Sequence, residues 1–288
     1  RALNRHVWQT MQRKLRALTR DNPLRVLELG AGIGTMVHRL LEWNLLSYCS
    51  YLVIDKEPAN IVEARSRLKA WAKHNSYESR QVIDELRLLR QDQDVTVVFE
   101  AIDLFDFIAQ EPELPAWDLL IAHAFLDLVD LSSTLPLLSG LLKPRGLFYF
   151  TINFDGLTVL EPTIDTALDD LILRLYHRTM DERVIAGKSS GDSQAGRHLF
   201  THLHEIGAVI LDAGPSDWVV FPTAGVYPAD EAYFLHYIIH TMQQALAGHP
   251  ELDARQFSTW INKRHSQIEN AELVYIAHQI DFVGRFHT

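Results

Sequence analysis

The sequence predicts an α/β fold in which a mostly parallel sheet carries helices on both faces. Three observations point there. Short apolar runs alternate with segments of helical period from residue 24 to about residue 152. A glycine-rich turn joins the first run to the helix after it. Apolar residues make up 47% of the 288, enough for a large core.

Residues 4–19 have amphipathic helical spacing, with Val7, Trp8, Met11, Leu15 and Leu18 on one side, and Asp21-Asn22-Pro23 ends the pattern. Leu24–Leu29 is an apolar run that meets the glycine-rich turn, and Met36–Leu46 returns to helical spacing. Tyr51–Ile54 is the next buried-strand candidate and ends at Asp55, and Pro58 suits the first turn of a helix to about Ala72. This βαβ order implies parallel strands with right-handed crossovers. Between 75 and 102, Leu86–Arg90 and Val95–Phe99 flank the polar Gln91-Asp92-Gln93-Asp94. The pattern reads as a β-hairpin feeding a third core strand, with a helix over 80–90 as the competing reading. Trp117–Ala122 is a fourth strand, Leu131–Leu142 a helix stopped by Lys143-Pro144-Arg145-Gly146, and Leu147–Ile152 a fifth strand.

After Asn153 the alternation breaks. Residues 163–185 read as helix, 187–196 as a Gly/Ser-rich loop, 196–206 as helix and Ala208–Leu211 as a sixth strand. Two helices, 229–247 and 253–270, precede Glu272–Val283, a seventh, closing strand. Two non-core segments thus follow strands five and six, above the carboxyl ends of the strands, where open α/β sheets bind ligands.

The formal net charge is −10 and the basic clusters, such as Arg13-Lys14-Leu15-Arg16 and Lys263-Arg264, are small. They read as solvated helix faces, so no nucleic-acid partner is expected. The lone Cys49 rules out an intrachain disulfide and any zinc site built on several cysteines. No metal is expected: His236 and His240 are one helical turn apart but lack the flanking pattern of a helical zinc site, and a packed amphipathic helix is the simpler reading. No apolar run approaches membrane-spanning length and no signal peptide is visible, so no membrane partner and a cytoplasmic location are expected, although the chain begins at Arg1 and leaves the true start open.

The sharpest local signal is Val26-Leu27-Glu28-Leu29-Gly30-Ala31-Gly32-Ile33-Gly34-Thr35, between a strand and a helix. Alternating glycines let the backbone turn tightly and approach a ligand with no Cβ in the way. The spacing is G-x-G-x-G, and Thr35 stands where a dinucleotide loop has its last glycine. A carboxylate at Glu28 disfavours a pyrophosphate and suits a ligand bearing ammonium and sulfonium groups. A tight turn without a ligand is the bland alternative.

This segment resembles motif I of class I S-adenosylmethionine (SAM)-dependent methyltransferases, and the resemblance extends in order and spacing over about residues 24–152, more loosely to the end. It implies a Rossmann-like, seven-stranded, mostly parallel sheet with an antiparallel last strand, helices on both faces and a helical cap. It also implies one domain over 1–288: an N-terminal helix (1–20), a cofactor-binding core (24–156), cap insertions (157–206 and 222–271) and closing strands (207–221 and 272–284). Glu28 matches the acid at the methionine end, and Gly30, Ala31, Gly32 and Gly34 line the cofactor. Asp55, beside Lys56, ends the second strand as the ribose-binding acid does; a carboxylate there accepts from both ribose hydroxyls. Asp103 matches the acid on the adenine amino group, with Leu104 or Phe105 against the ring. Singly, Asp55 and Asp103 also fit strand-end caps or turn formers. His123 and Ala124 fall where the backbone passes the methionine portion, and the D/N-P-P-Y/F motif of amino- and amide-nitrogen methyltransferases is absent.

Methyl transfer from a sulfonium is an in-line displacement that mainly requires positioning, so no obligatory triad is expected. His123 and His177 are the candidate bases, His123 being equally a backbone-capped histidine. Candidate acceptor-binding residues are Phe125, Asn153 and Asp155 after the core strands, Tyr176 beside His177, Arg197 at a helix start able to hold an anion, and Trp218, Tyr227 and Tyr233 in the cap. Trp218 and Tyr233 also fit a packed core. The expected activity is methyl transfer to O or N of a polar small molecule, with S-adenosylhomocysteine as product, by a monomer or a homodimer. A non-catalytic SAM-binding or partner-binding module is the alternative. An NAD-type oxidoreductase is disfavoured by Glu28 and the glycine spacing.

Overall fold

The computed structural model describes residues 2–18, 22–110, 117–185 and 187–286. Asn4 caps α1 (Arg5–Arg16) by accepting from His6 N and Val7 N. Then follow β1 (Leu24–Leu29), α2 (Thr35–Glu42), β2 (Tyr48–Asp55) and α3 (Pro58–His74), with Pro58 in the first turn. A meander of β3 (Glu78–Val82), β4 (Glu85–Arg90) and β5 (Gln93–Ala101) leads to α4 (Leu104–Gln110). β6 (Trp117–His123) ends at a 3₁₀ turn over Leu126–Leu128 before α5 (Leu131–Leu141), which Asp130 caps. β7 (Leu142–Glu161), α6 (Thr166–Asp181), the short hairpin β8 (Val184–Ile185) and β9 (Lys188–Ser189), and α7 (Ala195–Glu205) come next. The chain continues through β10 (Val209–Pro215), β11 (Trp218–Val220), α8 (Glu231–Ala245), α9 (Ala254–Glu269) and β12 (Val274–Arg285).

The sheet order is β10-β12-β7-β6-β1-β2-β5-β4-β3, with β11 also paired to β12. From β7 to β5 all pairings are parallel, and β12 runs antiparallel between β10 and β7. This is the seven-stranded Rossmann-like core expected, with its antiparallel last strand, plus a β3–β4 extension. The hairpin reading of 75–102 holds and the helix over 80–90 does not form. Glu78–Val82 adds an outermost strand whose five residues are all exposed, so it lacked the apolar face that marks a strand in sequence.

β1 is buried on both faces because it lies between two parallel strands under two helical layers. On one face Val26 and Tyr51 pack with α1, α2 and α3; on the other Leu27, Leu29 and Phe148 pack with α4, α5 and α7.

The largest departure from expectation is β7. The fifth strand does not end at Ile152 but runs to Glu161. β6 pairs with it only as far as Thr151, opposite His123. Beyond that point β7 and β12 continue as a ribbon, joined on the far side of β12 by β11, with register shifts between Ala277 and Gln279 and between Ile280 and Phe282. Ile152 (φ 58°) and Gly156 (φ 75°) take the left-handed conformations at these irregularities, and that is why the apolar alternation fails in the sequence. The ribbon projects past the carboxyl ends of the parallel strands. A third apolar cluster packs on it: Phe154 and Tyr275 of the ribbon, Ile172 and Leu175 of α6, Leu235 and Ile239 of α8, and Trp260 of α9. Its polar anchor is Asp169, which accepts from Arg264 Nη2 at 2.6 Å, Trp260 Nε1 at 2.5 Å and Ile164 N at 2.9 Å. The helical cap is thus built on the sheet's own continuation. No described helix is long and apolar enough to cross a membrane.

Candidate functional site

The glycine loop lies at the carboxyl end of β1, between β2 and β6. Gly30, Gly32 and Gly34 all have left-handed φ values, +56°, +54° and +76°, which alternate with ordinary residues to curl the backbone. A Cβ on Gly30 would overlap the Phe125 ring, so the turn after β6 closes one side of the loop. A Cβ on Gly32 would meet nothing within 4 Å, so the loop faces open space there.

Asp55, at the end of β2, is 8% exposed and wired into this loop. Its Oδ2 accepts from Gly32 N at 2.8 Å, and its Oδ1 accepts from Glu57 N at 2.9 Å and Asn60 Nδ2 at 3.2 Å. Three of roughly four lone-pair sites are filled, and one stays free for a hydroxyl donor. Lys56, the next residue, is exposed. Asp103 follows β5 and accepts from Phe105 N at 2.8 Å through Oδ1, opening α4; Leu104 is buried and Phe105 is 46% exposed. Ala31 N donates to Ile54 O at 3.1 Å and Ala124 N to Thr151 O at 2.9 Å, fixing the loop to β2 and the β6 end to β7. The carboxylates of Asp55 and Asp103 and the three glycines therefore occupy successive strand ends along one edge, as their order in the chain anticipates.

Glu28 lies beneath the loop instead of lining it. It is 1% exposed and accepts from Tyr51 Oη at 2.6 Å. The reason is strand parity: residue 28 shares the face of Val26 with α1 and α2. Burial pushes its carboxyl up to about 7, against the Tyr51 hydrogen bond and the Arg39 charge. Its part is to fix the strand end, and a repulsion of pyrophosphate by Glu28 is weaker than its charge suggested.

His123 ends β6, and its Nδ1 hydrogen-bonds Thr151 Oγ1 at 2.8 Å. Burial, together with the Arg39 charge, lowers its pKa to about 4, so the ring is neutral and weakly basic at pH 7. Asp127, three residues further from Ala124, has an enclosed Oδ1 with no hydrogen-bond partner, and burial raises its pKa to about 6 beside Arg183 and Asp192.

The expected acceptor residues divide. Asn153 and Asp155 do not follow strand five but lie inside it, buried, with Asn153 Nδ2 donating to Ile280 O at 2.7 Å. Asp155 accepts from Arg197 N at 2.7 Å, Nε at 2.9 Å and Nη2 at 3.1 Å. The anion place at the start of α7 is thus filled by the chain's own carboxylate, and Gly196 lets helix and strand meet, its Cβ position being 2.9 Å from Asn153 O. Arg197 keeps 52% of its side chain exposed. His177 turns into the cap, with Nε2 at 3.1 Å from Thr158 Oγ1 and its ring edge-on to Phe154. Tyr176, partly buried, neighbours that ring. Trp218 stacks on Phe234 at 4.1 Å, as a core residue does, and Tyr227 Oη donates to Leu273 O at 2.8 Å. Tyr233 is not core but 74% exposed. His236 pairs with His265 across α8 and α9, Nδ1 to Nδ1 at 2.7 Å. No group of three or more potential metal ligands converges among the described residues.

Three groups escaped the sequence reading. Besides Asp127 these are Arg39 and Tyr149, whose Nη1 and Oη are enclosed without partners. Only Tyr149 left a trace in the sequence, as a polar tip in the apolar fifth strand. A cleft of about 370 Å³ opens among Asp130, Asp181, Asp192, Ser193, His198 and His202, at the junction of α5, α7 and the end of α6.

No protein-family model and no curated protein matches the chain. Solved structures do. A SAM-dependent methyltransferase of Thiobacillus denitrificans, in complex with S-adenosylhomocysteine, is 13% identical over 100% of this chain and 93% of its own, with a TM-score of 0.47. A SAM-dependent methyltransferase of Geobacter sulfurreducens, in complex with the same molecule, is 13% identical over 99% and 92%, with a TM-score of 0.45.

Proposed function

We propose that this protein is a SAM-dependent methyltransferase acting on O or N of a polar small molecule. The observation that carries the reading is the Gly32–Asp55 hydrogen bond in a loop of three left-handed glycines. It brings a carboxylate with a free lone pair to a backbone edge that is open at Gly32. Asp103 follows β5, the strand paired to β2, and adds a second carboxylate for the base. When bound, SAM supplies an activated methyl group on sulfur, and the acceptor atom takes it by in-line displacement.

The residues of this chain then have positioning roles. Gly30, Ala31, Gly32 and Gly34 offer backbone without steric bulk, Asp55 takes ribose hydroxyls, and Asp103 takes the adenine amino group with Leu104 and Phe105 beside it. Ala124 and His123 flank the amino-acid end, and Phe125 walls the loop. Where the acceptor must lose a proton at neutral pH, Asp127 suits the task better than His123, because its carboxyl titrates nearer neutrality and keeps an oxygen without a partner. The cap on the β7–β12 ribbon supplies the acceptor side.

Isothermal calorimetry against SAM, S-adenosylhomocysteine and NAD tests the cofactor, with binding of the first two and not the third expected. Transfer of labelled methyl to a metabolite extract tests turnover. Failure to bind either sulfur compound at millimolar concentration would overturn the reading.

A further inference from the structure

Two pairs of histidines stand one helical turn apart in this chain. His236 and His240 on α8 are the pair the sequence brings forward, but His236 Nδ1 meets His265 Nδ1 at 2.7 Å. His198 and His202 on α7 are placed differently. Residues four apart share a helix face, and both rings line the cleft of about 370 Å³ at the junction of α5, α7 and the end of α6. His198 Nδ1 donates to Asp192 Oδ2 at 2.6 Å, which fixes the tautomer and leaves the lone pair on Nε2. Asp192 is itself held, its Oδ1 accepting from Gln194 N at 2.8 Å and its own N–H donating to Asp127 O at 3.2 Å. His202 repeats the arrangement, with Nδ1 3.4 Å from Glu205 Oε2. A carboxylate behind Nδ1 and a lone pair on Nε2 is how metal-binding histidines are oriented. The cleft is also acidic: Asp130, Asp181 and Asp192 line it and no lysine or arginine does. Asp130 and Asp181 spend oxygens on Ser133 N and Ser193 N, so they contribute charge that draws a cation rather than ligands that hold it.

We propose that His198 and His202 bind one divalent cation of the zinc and copper class through Nε2, with Asp192 as a positioning residue behind His198. Imidazole suits these ions, and two histidines four apart on a helix reach one ion together. The chain supplies two ligands and water completes the shell. None of these residues belongs to the cofactor set, so the inference stands apart from the cofactor reading. The full chain, purified without a histidine tag and stripped with a chelator, is titrated with zinc chloride in a calorimeter. One equivalent bound at micromolar zinc is expected. H198Q and H202Q should each weaken it about tenfold or more, D192N by about tenfold, and H236Q not at all. Electron paramagnetic resonance of the copper form should show two imidazole nitrogens in the wild type and one in H198Q.

The side chains of His198 and His202 are 48% and 29% exposed, so the variants should fold, and equal melting temperatures without metal check this. No uptake at submillimolar zinc overturns the site, as does uptake that H198Q and H202Q leave intact. Uptake lost in H236Q instead moves the ion to α8 and overturns the site equally. A D192N chain that binds as the wild type does overturns the role of Asp192.

Discussion

Asp281 in the last strand holds the backbone N–H of Ile152 at 2.8 Å, and Ile152 is a β-branched residue in a left-handed conformation. The same carboxylate takes Asn4 N at 2.7 Å, so one buried side chain secures the irregular point of β7 and the start of α1. Left-handed geometry is strained for isoleucine, and such strain persists only where the surroundings hold it. Asp281→Ala leaves two N–H groups unpaired and should cost about 2–5 kcal/mol of stability. Urea denaturation would measure it, and limited proteolysis should show earlier cleavage near residue 4. An unchanged midpoint would refute the role.

The glycine loop separates stability from binding. Gly30→Ala must displace Phe125, whereas Gly32→Ala meets only open space. Both take a left-handed penalty of about 1–2 kcal/mol. Gly32→Ala should therefore lose little more than that in thermal denaturation, yet weaken S-adenosylhomocysteine at least tenfold. Gly30→Ala should lose stability and binding together.

Glu28 makes stability depend on pH in a defined direction. Its carboxyl rises from 4.5 to about 7 on burial, so the native state holds a proton that the unfolded chain releases. Its stabilising contribution is full below pH 4.5 and is lost as pH rises through about 7, by up to about 3 kcal/mol. Glu28→Gln keeps the acceptor for Tyr51 and removes the titration. The stability difference between variant and wild type should grow in favour of the variant from pH 5 to pH 8. A pH-independent difference would exclude the shift.

The cap depends on Asp169. Arg264 is fully enclosed and Asp169 is its ion-pair partner. Breaking a buried pair on one side costs about 3–5 kcal/mol. Asp169→Ala should therefore loosen α6 and α9, seen as faster amide exchange there, while exchange in β1 and β2 is unchanged.

Much of the core was legible in the chain because parallel strands buried on both faces read as apolar runs, and Leu24–Leu29 is one of them. The glycine loop and the acids at 55 and 103 were legible because strand ends are marked by order along the chain. The partners of these groups were not. Nothing at position 155 announces that it would occupy the helix start at Arg197, and nothing at Glu28 shows that strand parity turns it under the loop. Those outcomes are set by pairings across 42 and 23 positions of sequence. The extension of β7 was hidden by Asn153, Asp155 and Gly156, which interrupt alternation where the strand is irregular and not where it stops.

That extension works as a lever. Ten residues of β7 lie beyond the last pairing with β6, an arm of roughly 33 Å at the rise of a strand. A bend of about five degrees at its root carries its far end by about 3 Å, the diameter of a water molecule. Substitutions around Ile152 can therefore re-aim the whole cap relative to the glycine loop while every residue of the cap stays the same.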